Sequence, residues 1–125
     1  MSTSALIIYQ DSNNKCFATS VNFDGYIENG VGELLYNHWN NEQDIIEICV
    51  NSDKCIRCFE KSINDIEYYD DFASKKFANS LKNLSYCTML NKTGNYNYSY
   101  LWNENEKEWY VFHHKFGKKL LKSFF

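Results

Sequence analysis

Cys55 and Cys58 stand two residues apart in "DKCIRCFE", a spacing that suits a zinc ligand pair or a redox disulfide. Zinc asks for about four converging ligands, usually completed by a second pair at set spacing. Cys16, Cys49 and Cys87 stand singly, and a redox pair belongs at a helix start after a buried strand, so structural cysteine is the favoured reading. His38, His113 and His114 are of the type that moves protons, but the chain has no nucleophile elbow, no HExxH and no glycine-rich phosphate loop. The acids Asp70-Asp71 and Glu104, Glu106 and Glu108 fall where a helix start and a solvated turn place them. These residues point to no catalytic centre, no resident metal and no cofactor.

The cations are more informative. Arg57 is the one arginine beside twelve lysines, and its planar fork suits phosphate in a way lysine does not reproduce. Such an arginine is also a common surface ion-pair partner. Lys115, Lys118, Lys119 and Lys122 follow the aromatic run "EWYVFHH". Cation beside aromatic is what a small nucleotide pocket needs, charge for phosphate and a π-face for the base. On this reading Arg57, Trp109, Tyr110, His113, Lys115, Lys118 and Lys119 are candidate ligand contacts; the alternative is a solubilising tail. The stretch "SVNFDGYIENGVGELL" holds three of the five glycines, Gly25, Gly30 and Gly32. It reads as a strand–turn–helix corner in which Gly25 supplies a conformation other residues resist. Phe23, Asp24, Gly25 and Tyr26 would then stand beside helix-start amides that favour an anion.

The elements that must position these residues are legible in outline. "SALIIYQ" (4–10), the turn "DSNNK" and "CFATSVNF" (16–23) form an N-terminal hairpin. Helices are predicted over 30–40 and 42–50, from Val31, Leu34 and Leu35 and then Ile45, Ile46, Cys49 and Val50. "DKCIRCFEKSINDIEYY" reads as a short extended piece and loop. "DDFASKKFANSLKNL" (70–84) gives the clearest helix, with Phe72, Phe77, Leu81 and Leu84 on one side. "NYNYSYLWN" and "EWYVFHH" make two antiparallel strands across the turn "ENEK", and "KFGKKLLKSFF" closes the chain as a charged tail. The expectation is a small single-domain α+β fold over residues 1–125, strands at both termini and helices between.

Bulk composition bounds the partners. Net charge of −3 argues against a duplex nucleic-acid binder. The chain carries no long apolar run and no signal-peptide pattern, so the expected location is cytoplasmic, with reduced thiols. An aromatic share of 18% exceeds what a core of this size needs, and with Phe116, Leu120, Leu121, Phe124 and Phe125 it predicts self-association.

In order along the chain, "NFDGYIENGVGELLYNHWNNEQDIIEIC", "SDKCIRCFE" and "YNYSYLWNENEKEWYVF" resemble a family of small phage-encoded proteins, the Thoeris anti-defence proteins of the first type. Members carry an HWDGYPE–G–LL–HY signature, a GD–SSL-like segment and a terminal Y–YL–GEWYV hairpin. This chain departs at Asn22, Ile27 and "KCIRC". The resemblance implies a sponge in an infected bacterial cell that sequesters cyclic ADP-ribose isomers made by TIR-domain enzymes without cleaving them. It further implies dimers or larger homo-oligomers with pockets at subunit contacts, some members also holding cyclic oligonucleotides. The rival expectation is a protein-binding inhibitor of a host defence factor, docking through its aromatic surface.

Overall fold

The run "ALIIYQ" forms strand β1 (Ala5–Gln10), and every one of its residues is buried. A strand covered on both faces reads as continuous rather than alternating hydrophobicity, which explains the sequence pattern. The structure, a computed structural model, describes residues 3–125. β1 pairs antiparallel with β2 (Lys15–Val21) and parallel with β6 (Tyr98–Asn103). The hairpin turn is fixed by Asp11, whose Oδ1 accepts from the amides of Asn13 and Lys15 at 2.9 Å each. Beyond β2 lie β3 (Ile56–Cys58), parallel to it, and the two-residue β4 (Glu67–Tyr68). β5 (Leu84–Ser85) pairs with the opposite end of β2. β6 leads through the polar turn into β7 (Glu108–His113) and then β8 (Gly117–Leu120), giving the order β4-β3-β2-β1-β6-β7-β8. The described residues form a single-domain α+β fold with eight strands in one mixed sheet.

Strand alternation sends Ala5, Ile7 and Tyr9 to one face with Tyr100, Trp102, Trp109 and Val111. There α1 (Val31–His38) and α2 (Glu42–Ile46), continued by a π-helical turn to Asn51, cover them with Val31, Leu35, Ile45, Ile48 and Cys49. Burial pushes the Cys49 thiol up to about 12, which keeps it an inert apolar group. The opposite face buries Leu6, Ile8, Ala18 and Leu101 under Leu81 and Met89. α3 (Phe72–Asn79) and α4 (Tyr86–Thr93) flank that side.

Three expectations change. The helix placed over 70–84 spans only Phe72–Asn79, and Phe72 and Phe77 are 81% and 46% exposed. The amide of Ala18 on β2 takes the Leu81 carbonyl at 2.9 Å, so the chain leaves the helix to serve that strand and Leu81 enters the core from a turn. α4 was not foreseen; its signal is the cap Ser85, which accepts from the Thr88 amide at 3.1 Å. The charged tail is strand β8 followed by a short 3₁₀ turn, Leu121–Phe124, in which Leu121 is buried.

Candidate functional site

The aromatics that the fold leaves half-covered gather at one end of the sheet. Tyr98 opens β6, and His113 ends β7 opposite Gly117. Both lie on the α1 face by strand parity, two residues beyond the buried Tyr100 and Val111 on their strands. Their rings lie 4.7 Å apart. Tyr26 approaches Tyr98 at 6.5 Å from the loop before α1, and Phe116 meets His113 at 5.3 Å from the β7–β8 turn. Phe124 of the 3₁₀ turn then meets Phe116, again at 5.3 Å. With Ile27, Glu28 and Lys115, these five rings line a cleft of about 470 Å³. Tilted and stacked rings at these separations present π-faces and edges to a planar guest.

His113 also lines a second groove, of about 490 Å³, between α4 and the β7–β8 ribbon, together with His114, Tyr96, Phe112 and Lys118. A third groove, of about 450 Å³, runs along α1 and is lined by Asp24, Glu33, Glu60, His38 and Lys61.

Of the sequence candidates, Tyr26, His113 and Lys115 meet in the aromatic cleft, and Lys119 lies 5.4 Å from the Phe116 ring at its edge. The others are elsewhere. Trp109 is 4% exposed, and its Nε1 donates to the Trp39 carbonyl at 2.8 Å, so it is core and not a stacking platform. Tyr110 faces the opposite side and donates its hydroxyl to Glu106, a bond that, with burial, pushes the phenol up to about 12. Lys118 points to that side too, its ammonium 4.3 Å from the Tyr110 ring centroid and donating to the Tyr86 hydroxyl at 3.2 Å. Phe23 is partly exposed and Asp24 lines the acidic groove.

The corner also differs from its expectation. The left-handed residues are Asp24 (φ 59) and Asn29 (φ 58), not Gly25. Its glycines are there for space: a Cβ on Gly25 would lie 2.8 Å from the Ser4 carbonyl oxygen. Two helix-start amides are already taken, Val31 N–H by the Asp24 carbonyl at 2.8 Å and Gly32 N–H by the Tyr26 carbonyl at 3.0 Å. The Gly25 carbonyl accepts from the buried Tyr100 hydroxyl at 2.7 Å. The corner therefore positions Tyr26 and Glu28, with its first two helical amides engaged by the loop's own carbonyls.

Arg57 lies on β3, 3.6 Å from Glu67, both side chains more than half exposed. β3 and β7 are four strand steps apart, about 19 Å at the usual spacing, so one chain does not bring Arg57 to the cleft. Arg57→Ala is accordingly expected to change ligand affinity by less than about twofold and stability by at most about 1 kcal/mol, read by calorimetry and a melting curve. Sequence reasoning missed Glu28, Tyr98, Phe116 and Phe124 as cleft residues. The alternating tyrosines of "NYNYSYLWN" carried a signal for Tyr98, without saying which ring lies beyond the helix. Compared with protein-family models, curated proteins and solved structures, the chain matches none.

Proposed function

We propose that this protein binds and sequesters a cyclic ADP-ribose-type signalling nucleotide made by TIR-domain enzymes without cleaving it, as a phage counter-defence protein in the bacterial cytoplasm. The observation that carries the reading is the row of rings Tyr26, Tyr98, His113, Phe116 and Phe124, with Lys115 among the residues that line the same cleft. A planar base needs such π-faces, and stacking contributes about 1–3 kcal/mol per base. A sponge for a sub-micromolar signal needs about −9 kcal/mol or better, which stacking plus a lysine–phosphate contact approaches only in a preformed cleft. Here the cleft walls are anchored by buried neighbours, Tyr100 beside Tyr98 and Leu121 before Phe124. Assembly into dimers or larger homo-oligomers, implied by the family resemblance, belongs to the same proposal; light scattering at micromolar concentration reads it. No helix among the described residues is long and apolar enough to cross a membrane.

The test mixes protein with cyclic ADP-ribose isomers, measures depletion of free ligand, then denatures the protein. Intact ligand is expected to return, with or without EDTA; a cleaved product overturns the sponge mechanism. Tyr98→Ala is expected to weaken capture about tenfold to a hundredfold, the equivalent of one lost stacking contact. A second reading, an inhibitor that docks on a host defence protein, rests on the exposed Phe72 and Phe77 of α3. That protein would leave every cyclic nucleotide undepleted and would bind its partner through α3.

A further inference from the structure

The aromatic cleft and the groove behind it meet at one side chain, His113. Its Nδ1 accepts the Lys115 amide hydrogen at 3.1 Å. An imidazole that accepts at Nδ1 is unprotonated there, so its single ring proton sits on Nε2. The ring is held by Tyr98 at 4.7 Å, His114 at 4.3 Å and Phe116 at 5.3 Å. We propose that His113 couples capture of the anionic ligand to uptake of one proton, changing from acceptor to donor as a phosphate arrives. The inference rests on the nucleotide reading above.

The surroundings set the direction. On its own turn His113 faces His114 and Lys115; across the second groove are Lys118 and Tyr96. From β6 comes Tyr98, and from the loop before α1 come Tyr26 and Glu28, whose carboxylate is the one acidic group lining the cleft. Burial, then the nearness of His114 and Lys115, holds the imidazole below its ordinary value, so the unliganded side chain is neutral near pH 7. A phosphate seated beside Lys115 reverses the balance. An opposite charge within about 4–6 Å favours the protonated ring and raises its pKa by about 1–3 units. The proton comes from solvent and goes to Nδ1, which gives up the Lys115 amide hydrogen bond; an imidazolium N–H then faces the phosphate. A group whose pKa rises on binding strengthens affinity at low pH, and the gain is lost as pH climbs through the value in the complex.

The test titrates the protein with cyclic ADP-ribose at pH 7 in two buffers of different ionisation enthalpy, and repeats the affinity measurement from pH 6 to 8.5. The expected result is net proton uptake and binding roughly tenfold tighter at pH 6 than at pH 8. His113→Asn keeps an acceptor for the Lys115 amide and is expected to remove that dependence, whatever affinity the loss of the ring costs at every pH. Any slope that remains belongs to the ligand and the lysines. Binding with equal heats in both buffers, or with the same pH slope in wild type and variant, overturns the linkage and leaves the nucleotide reading standing. No binding at any pH overturns both. The buffer comparison uses the native chain, so it decides the matter even if the variant fails to fold.

Discussion

Trp109→Ala is expected to destabilise the protein by about 3–5 kcal/mol, the range for removing a buried tryptophan. Its ring is 4% exposed and packs edge-on against Trp102 at 5.4 Å. The indole N–H donates to the Trp39 carbonyl at 2.8 Å, tying the end of α1 to the start of β7. Alanine removes the packing and leaves that carbonyl with one partner fewer. Trp109→Phe separates the two losses: most of the volume stays, and the missing donor alone costs about 1–3 kcal/mol. Urea unfolding of the three proteins reads both steps. An alanine variant that unfolds like wild type yet no longer binds nucleotide would return Trp109 to the ligand site.

The second large effect belongs to Gly30. A Cβ there would stand 2.4 Å from the Asp24 carbonyl oxygen and 2.6 Å from that of Tyr26. Those two oxygens accept the first amides of α1, so a methyl group displaces the backbone that caps the helix. Gly30→Ala is expected to lower stability by about 2–3 kcal/mol through overpacking against backbone that has nowhere to go. It should also weaken nucleotide capture, because Tyr26 and Glu28 ride on the same corner. Gly94→Ala is the control. The nearest atom to its added methyl lies 3.8 Å away and φ is −64°, so stability should stay level or rise by about 0.5 kcal/mol. Thermal melts compare the pair, and similar losses at both glycines would refute the steric account.

How much of this was legible in the sequence depended on whether the deciding contact was local. The N-terminal hairpin was readable because Asp11 organises its own turn and β1 is apolar throughout. The β6–β7 hairpin was readable for the same reason, Asn103 accepting the Glu106 amide inside the turn. β8 was not, since the lysines of "GKKL" look solvated until β7 offers them an edge. The error over 70–84 is of that kind as well: helical spacing continued past Asn79, but the edge of β2 claimed the backbone. Within the candidate site the limit was sharper. Trp102, Trp109, Tyr98 and His113 share one face of two paired strands, and their alternation was plain. What separates them is position along the strands: the buried indoles sit at one end of the β6–β7 pair, and Tyr98 and His113 sit half-open at the other.

The parallel pairing of β1 with β6 has a consequence for biosynthesis. Ile7 pairs with Tyr100, and the four α-helices that cover the sheet are made between them. On the ribosome the hairpin is complete early, while the other edge of its most apolar strand waits for some eighty more residues to emerge. An unpaired hydrophobic edge of that kind is a template for association with other chains. A nascent chain halted before β6 is therefore a natural client for a chaperone, and β6, on arrival, closes the edge.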